Sequence, residues 1–242
     1  MFLKRIELLH DRIDSYQQYP FSIPSIQSLK SLDIKNNVTF LVGENGSGKS
    51  TLLEAIADKC GFNTAGGSRN NTYKVDRSES ALGEYIRLSW LPKVSNGFFL
   101  RAESFYHFAS HIDEIGESHK SIYDSYGGTS LHEQSHGESF ISLFANRFSG
   151  KGIYLLDEPE AALSPQRQLA FLRIIHDLVV SGESQFIIAT HSPILLGYPN
   201  ATIYSFDDGT IEEVNYEETS HYQITKYFLE NRERFLRDIF ED

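Results

Sequence analysis

The 242-residue sequence contains a single cysteine, Cys60, and no pair of cysteines spaced to hold zinc. An intramolecular disulfide is therefore excluded, and the composition fits a reducing compartment, so we expect a cytoplasmic protein. No apolar run is long enough to span a membrane, and the first seven residues alternate apolar and polar side chains like a strand rather than a signal sequence. We therefore expect no direct membrane insertion, and any role at a membrane through a partner.

Positive charge is also scarce, with 22 Lys and Arg residues against 33 Asp and Glu residues and a formal net charge of −11. Affinity for nucleic acid comes chiefly from basic side chains that contact phosphates, so this balance does not support a nucleic-acid-binding surface. A local basic face stays possible near the C-terminus, at Lys226, Arg232, Arg234 and Arg237. Acidic residues lie three or four positions from these, which makes a solvated helix face with internal ion pairs the simpler interpretation.

Apolar residues make up 40% of the chain and charged residues 23%, the balance of a folded globular domain. Strand-like and helix-like patterns alternate, which predicts an α/β fold whose mainly parallel sheet is covered on both faces. The predicted strands are 2–10, 38–42, 83–91, 97–101, 152–156 and 185–190, with a hairpin of 201–206 and 211–214. The predicted helices are 50–59, 104–115, 138–148, 165–180 and one C-terminal helix.

A glycine-rich segment stands where the first buried-strand run turns into a helical pattern. It consists of Gly43, Glu44, Asn45, Gly46, Ser47, Gly48, Lys49, Ser50 and Thr51. This is a P-loop pattern, in which backbone N–H groups surround the phosphates of a nucleotide. Lys49 would reach the β- and γ-phosphate oxygens, and the Ser50 hydroxyl would ligate Mg²⁺. The segment therefore predicts the binding of a nucleoside triphosphate.

Two adjacent carboxylates, Asp157 and Glu158, follow the apolar run 153–156. This is the pattern of a Walker B strand, whose first carboxylate holds the Mg²⁺ shell and whose second acts on the attacking water. His191 follows the next buried-strand run, at the end of a strand where open α/β sheets place their ligands. We therefore predict Lys49, Glu158 and His191 as catalytic residues, and Ser50 and Asp157 as metal ligands.

With these three motifs in order, the chain resembles the ATP-binding cassette (ABC) ATPases. The resemblance implies ATP and Mg²⁺ as cofactors and ATP hydrolysis as the activity. It also implies an ABC-type P-loop NTPase fold with a parallel core, an antiparallel β part and a small helical lobe. We expect one domain over 1–242, with the core lobe at about 1–103 and 150–242 and the helical signature lobe at about 104–149.

The resemblance also identifies a signature segment, residues 134–139, ahead of the Asp-Glu pair. Ser135 and Gly137 match the family pattern, whereas Gln134, His136 and Glu138 depart from it. In the family this segment of one subunit caps the γ-phosphate held by the P-loop of another. The resemblance therefore implies an ATP-dependent head-to-tail homodimer in which Ser135 and Gly137 contact the nucleotide of the other subunit.

Other family features match less closely. Ser164 stands where the family usually has an aspartate that contacts the other subunit, and Glu103 is the nearest match to a glutamine that senses the metal. The aromatic residue that stacks on adenine is one of three candidates, Tyr16, Tyr19 and Phe21. Glu103 is accordingly expected as a third metal ligand.

The chain between Glu103 and Ser135 is too short for the long coiled-coil hairpin that some ABC-type ATPases insert there. We therefore expect a compact, stand-alone ATPase whose cycle drives an unidentified protein partner. One alternative is the energising subunit of a membrane transporter. Another is a slowly hydrolysing, ATP-gated module that binds nucleic acid or an effector protein.

Overall fold

The computed structural model describes residues 1–64, 66–68, 81–103, 105–118, 123, 128, 130, 132, 136–148 and 150–241. The strands in this part of the chain are β1 (Leu3–Leu8), β2 (Ser31–Asp33), β3 (Val38–Val42), β4 (Ile86–Trp90), β5 (Gly97–Arg101), β6 (Gly152–Asp157), β7 (Ser184–Ala189), β8 (Thr202–Ser205) and β9 (Glu212–Val214). The helices are α1 (Pro24–Ser28), α2 (Lys49–Cys60), α3 (Phe105–Ser118), α4 (His136–Arg147), α5 (Pro165–Val180), α6 (Pro193–Leu196), α7 (Ser220–Glu230) and α8 (Arg232–Phe240).

Two sheets organise these elements. The larger sheet has six strands in the order β5-β6-β7-β3-β8-β9, and its first five strands run parallel. Only β9 runs antiparallel, as the second strand of the predicted hairpin. The smaller sheet is antiparallel, in the order β2-β1-β4. The predicted α/β fold with a mainly parallel core and an antiparallel part is confirmed.

Successive residues of a strand point to opposite faces of the sheet, and each face of the parallel sheet packs into a core of its own. On β6, Leu155 packs into a core shared with α2 and the antiparallel sheet, whereas Leu156 packs into a second core. Ile187 and Ile188 on β7 divide in the same way. The P-loop helix α2 therefore contributes to the core between the two sheets, with most of its residues buried.

The second core is rich in phenylalanine and joins α3, α4 and α5 to the parallel sheet. Phe144 on α4 lies 4.5 Å from Phe171 on α5 and 4.4 Å from Phe148, measured between ring centroids. Phe148 in turn stacks on Tyr154 of β6 at 4.2 Å. Helices from the proposed helical lobe thus share one core with the sheet, and the division into lobes at 104–149 stays a prediction.

The structure corrects the sequence interpretation in two places. The predicted strand 83–91 begins only at Ile86, because residues 81–85 form a 3₁₀ turn. Gly83 packs closely there, and a Cβ atom on it would lie 2.2 Å from Asp58 Oδ2. The single predicted C-terminal helix is two helices, which separate at Asn231 with φ −132° and ψ 34°.

Three short elements, β2, α1 and α6, were not expected from the sequence, since each is too short to show a periodicity. No helix among the described residues is both long enough and apolar enough to cross a membrane.

Gln185 joins the two sheets. Its side chain is fully buried on β7, and its Oε1 accepts hydrogen bonds from the backbone N–H groups of Phe2 at 2.9 Å and Leu3 at 2.8 Å. Its Nε2 donates to the carbonyl oxygen of Leu3 at 2.9 Å. One side chain therefore satisfies three backbone groups at the start of the antiparallel sheet. Without it, these buried groups would lack hydrogen-bond partners, which would destabilise the fold.

We expect Gln185→Leu to lower the free energy of unfolding by about 2 to 5 kcal/mol, because three buried backbone groups lose their partner. Urea unfolding of the purified protein measures this effect. Gln166→Leu, on the exposed side of α5, is the matched control and should change stability little. Equal unfolding midpoints for Gln185→Leu and the control would contradict this role for Gln185.

Candidate nucleotide site

Three segments with candidate functional residues leave the parallel sheet at the same edge. They follow β3, β6 and β7, which are neighbours in the sheet. Backbone hydrogen bonds continue past the strand ends, from Glu158 N to Ala189 O at 2.9 Å and from Thr190 N to Leu41 O at 3.2 Å. Because the strands are parallel, their carboxyl ends meet, and the P-loop, the Asp-Glu pair and His191 come together.

The P-loop backbone has the conformation that its glycines allow. Gly43, Gly46 and Gly48 have φ values of 138°, 79° and 102°, which residues with a Cβ atom rarely adopt. Gly48 precedes the first residue of α2, and a Cβ atom on it would lie 2.9 Å from Ser25 Oγ. The loop is fixed from outside by Asp207, whose Oδ1 accepts from the N–H of Glu44 at 3.0 Å.

Lys49 is only 4% exposed, although it carries a cation. Its Nζ donates to the carbonyl oxygens of Gly43 at 2.6 Å and Glu44 at 2.9 Å. Burial lowers the pKa of Lys49, and the nearby carboxylates of Glu158 and Asp157 oppose this effect. The ammonium group is therefore held inside the loop, among groups that can be exchanged for phosphate oxygens.

Asp157 ends β6 and is 6% exposed. Its Oδ1 accepts from Ser50 Oγ at 2.9 Å, and its Oδ2 lies 3.5 Å from Arg101 Nε. Burial raises the pKa of Asp157 to about 6, although Arg101 and the Ser50 hydroxyl favour the charged form. Arg101 also donates to Glu54 Oε1 at 2.6 Å, so one guanidinium joins Asp157 to the P-loop helix.

Ser50 and Asp157 fit the protein side of a Mg²⁺ site. Magnesium prefers oxygen ligands and is usually held by one or two carboxylates together with substrate phosphates and water. The hydroxyl of Ser50 and the carboxylate of Asp157 already lie within hydrogen-bond distance, at the mouth of the P-loop. Glu103 fits this site less well than Ser50 and Asp157, because its side chain is 82% exposed and pairs with Arg101 Nη2 at 3.3 Å.

Glu158 has an unusual backbone conformation. Its φ and ψ are both 51°, in the left-handed region that few residues other than glycine adopt. Its side chain is 41% exposed, and its Oε1 lies 3.6 Å from Nε2 of His191. The turn after β6 thus directs Asp157 into the interior and Glu158 toward the open site.

His191 is fixed by two residues that the sequence analysis did not identify. Its backbone N–H donates to Glu160 Oε1 at 2.6 Å, and its Nδ1 forms a 2.8 Å hydrogen bond with Nε2 of His221 on α7. Burial raises the pKa of Glu160. Neither contact has a local sequence signal, because both join segments that are distant along the chain.

One of the two predicted signature residues, Gly137, lies in the described part of the chain. Ser135 lies outside the described residues. Gly137 is buried near the start of α4, and a Cβ atom on it would lie 2.2 Å from Nη1 of Arg167 on α5. Ser164, at the family's aspartate position, caps α5 by accepting from the N–H of Arg167 at 3.4 Å.

Of the three aromatic candidates for the base, only Tyr19 lies at the P-loop helix with an exposed ring. Its hydroxyl is 3.3 Å from Thr51 Oγ1, and the residue is 56% exposed. The hydroxyl of Tyr16 forms a 2.6 Å hydrogen bond with Nδ1 of His10, and its ring packs on the core. Phe21 is buried against Tyr85. Tyr19 is therefore the candidate that remains.

The raised pKa of Asp157 makes a prediction about stability. Its value of about 6 in the folded protein exceeds the ordinary 3.8, so the folded chain binds this proton more tightly than the unfolded chain. Ionisation of Asp157 should then lower stability as the pH rises from about 4 to about 6. Asp157→Asn should therefore raise the free energy of unfolding of the nucleotide-free protein by up to about 3 kcal/mol near neutral pH.

Urea unfolding at neutral pH and at about pH 4 measures this gain, which should disappear at the lower pH. Asp177→Asn, in an exposed ion pair with Arg173 on α5, is the matched control and should show no such dependence. A variant less stable than wild type at neutral pH would mean that the contacts of Asp157 with Arg101 and Ser50 outweigh its burial.

Two protein-family models match the sequence. One, described as an AAA domain, matches residues 14–138, slightly more than half of the chain, and the other, an AAA ATPase domain, matches residues 101–196. A comparison with curated proteins finds no match.

Solved structures similar to the chain include the SMC head domain from Thermotoga maritima, at 19% identity over 89% of this chain and 99% of that chain, with a TM-score of 0.46. Another is cbiO1 from Clostridium perfringens, at 18% identity over 89% and 92%, with a TM-score of 0.47. A nucleotide-free ATP-binding cassette from an ABC transporter has 18% identity over 89% and 92%, with a TM-score of 0.48. These TM-scores lie below one half, so none of the three bears on what this chain does.

The P-loop lies within the first of these matches, and Asp157, Glu158 and His191 lie within the second. The chain belongs to the AAA domain family and is a P-loop ATPase domain.

Proposed function

We propose that this chain binds Mg-ATP at the carboxyl edge of its parallel sheet and hydrolyses it to ADP and phosphate. The observation that carries the proposal is the placement of Glu158, which follows the buried Asp157 in a left-handed backbone conformation. Such a conformation costs free energy, and strained residues of this kind cluster at active sites. Here it presents a carboxylate beside His191 and within electrostatic reach of Lys49.

The P-loop supplies the binding energy for the phosphates. Backbone N–H groups and the N-terminus of the 12-residue helix α2 favour negative charge at this point. Lys49 exchanges the carbonyl oxygens of Gly43 and Glu44 for phosphate oxygens, which bind an ammonium group more strongly. The ring of Tyr19 stacks on the base, since it stands exposed beside Thr51.

Ser50 and Asp157 hold the Mg²⁺ that accompanies the nucleotide. When bound, the ion neutralises charge that develops on the phosphates during transfer. Arg101 favours the charged form of Asp157 and ties it to Glu54 on the P-loop helix, so the two ligands stay aligned. Glu103 reaches this site only through Arg101, and its role as a further ligand depends on a movement of its exposed side chain.

Glu158 acts on the attacking water. The water oxygen forms a bond to the γ-phosphorus, the bond to the bridging oxygen of ADP breaks, and Glu158 takes the proton that the water loses. His191 orients the water or donates to the γ-phosphate from Nε2, the atom that faces Glu158. The backbone hydrogen bond from His191 to Glu160 holds this arrangement in place.

A second copy of the chain completes the site. In a two-fold assembly, each subunit supplies Lys49 to one nucleotide and the signature segment, with Ser135 and Gly137, to the other. Because that segment grips the γ-phosphate, assembly depends on ATP and ends with hydrolysis. The resulting cycle drives a protein partner in the cytoplasm, a compartment that suits the single buried Cys60.

Glu158→Gln tests the proposed chemistry, because glutamine keeps the size of the side chain and removes its basic site. Hydrolysis should fall by about 100- to 10,000-fold while ATP binding persists. Phosphate release measures the first effect and titration calorimetry the second. Light scattering should find the variant as a dimer with Mg-ATP and as a monomer with ADP.

Glu114→Gln, on an exposed position of α3, is the matched control and should hydrolyse ATP at the wild-type rate. Undiminished hydrolysis by Glu158→Gln would remove Glu158 from the reaction. A monomer under saturating Mg-ATP would contradict the composite site and leave hydrolysis within one subunit.

The base contact makes a separate prediction. Tyr19→Ala should weaken ATP binding by about 5- to 150-fold, since stacking on an aromatic ring contributes about 1 to 3 kcal/mol per base. Binding of inorganic tripolyphosphate, which has no base, should not change. Tyr19→Phe keeps the ring and should bind ATP like wild type, and Tyr227→Ala controls for the loss of an exposed tyrosine. Equal losses for ATP and tripolyphosphate would contradict stacking.

A further inference from the structure

The hydrogen bond between His191 and His221 joins the nucleotide site to α7, the first of the last two helices. The distance from His191 Nδ1 to His221 Nε2 is 2.8 Å, and the ring centroids are 4.9 Å apart. Two histidine nitrogens that share a zinc ion lie about 3.3 Å apart, given the usual zinc–nitrogen distance and tetrahedral angle. The two rings are therefore bonded directly, with one nitrogen donating and the other accepting.

The surroundings decide which ring donates. Nε2 of His191 lies 3.6 Å from the carboxylate of Glu158, where an N–H group is favoured and a lone pair is repelled. A neutral His191 with its proton on Nε2 has a lone pair on Nδ1, so His221 must donate to it from Nε2. In this arrangement the buried Nδ1 of His221, which has no partner, carries only a lone pair.

The opposite arrangement is disfavoured by the charge of Glu158, because His191 would donate from Nδ1 and turn an Nε2 lone pair toward that carboxylate. Each arrangement leaves one buried ring nitrogen with an unpaired N–H group, Nε2 of His191 in the first and Nδ1 of His221 in the second, so the number of unpaired groups does not separate them. Burial, together with the neighbouring His191, lowers the pKa of His221, which favours its neutral form with a single N–H group.

The start of α7 is anchored so that His221 stays in reach of His191. Thr219 caps the helix by accepting from the N–H of Tyr222 at 3.3 Å. Tyr216, just before the helix, donates from its hydroxyl to the carbonyl oxygen of Pro193 at 2.9 Å, two residues after His191. The helix start and the segment after β7 are therefore held together by the Tyr216 hydrogen bond as well as by the two rings.

We propose that His221 is a positioning residue for ATP hydrolysis: its Nε2–H donates to His191 Nδ1 and keeps the proton of His191 on Nε2, toward Glu158 and the γ-phosphate. The catalytic part of this inference rests on the proposed function, whereas the tautomer of His191 does not.

Nitrogen NMR of the ¹⁵N-histidine-labelled, nucleotide-free protein tests the tautomer directly, with His191 assigned from the spectrum of His191→Gln. We expect a protonated Nε2 and an unprotonated Nδ1 for His191, and a coupling across the hydrogen bond to His221 Nε2. A proton found on His191 Nδ1 would overturn the proposal, whether or not the protein hydrolyses ATP.

Two substitutions test the consequence for turnover. His221→Phe keeps an aromatic ring and removes the donor, and it should lower kcat by about 10- to 100-fold with little change in the KM for ATP. The His191 spectrum of this variant should show a mixture of tautomers. His221→Gln can donate from its amide and should recover most of the lost turnover.

His176→Phe, an exposed histidine-to-phenylalanine change on α5, is the matched control and should behave like wild type. Wild-type turnover and an unchanged His191 tautomer in His221→Phe would overturn the proposal. If even the wild type fails to hydrolyse ATP, the proposed function is wrong, and the tautomer measurements still decide the role of His221. Should His221→Phe not fold, the wild-type spectrum and His221→Gln give the answer.

Discussion

Charged side chains that are nearly excluded from water meet at the carboxyl edge of the parallel sheet. Lys49 lies inside the P-loop, Asp157 ends the neighbouring strand, and Arg101 links Asp157 to Glu54 on α2. Removing such charges from water costs several kcal/mol for each ion, and their mutual attraction recovers this only in good geometry. The loop, the P-loop helix and the strands β5 and β6 must therefore stay in register with one another.

The two-sheet architecture provides that register. The helix α2 contributes to the core between the sheets, and Gln185 ties the first residues of the antiparallel sheet to β7. On the other face, the phenylalanine core joins α3, α4 and α5 to the same strands. The sheet that presents the charged edge is thus packed on both sides, which keeps the edge rigid. Functional groups placed on rigid elements hold their geometry better than groups on free loops.

Much of the site could be predicted from the sequence, since its main residues each follow a recognisable buried-strand run. The parallel arrangement then brings Lys49, Asp157 and His191 together without further information. Contacts between distant segments could not be predicted in this way. Glu160 and His221 meet His191 only through the tertiary fold, and Arg101 stood in the sequence as an ordinary basic residue at the end of a strand.

The difference between local patterns and tertiary contacts also explains the errors in the predicted secondary structure. The apolar pattern of the C-terminal segment continues across Asn231, so it gives no sign of the break between α7 and α8. Residues 83–85 continue the alternation of β4, yet they form a turn where Gly83 approaches Asp58. Periodicity reports which side chains are apolar, whereas a close backbone approach depends on a partner elsewhere in the chain. The signature residue Ser135 lies outside the described part of the chain, and its role stays a prediction.

We infer that the buried charge of Lys49 is kept for the phosphates of a nucleotide. The most direct test is titration calorimetry of Mg-ATP with Lys49→Met, which keeps the aliphatic stem and removes the charge. We predict that ATP affinity falls by about 10- to 100-fold, the loss expected for a charge-assisted hydrogen bond. Thermal stability should stay equal or rise, since a buried cation is removed. Wild-type ATP affinity in Lys49→Met would mean that the charge of Lys49 does not bind the phosphates.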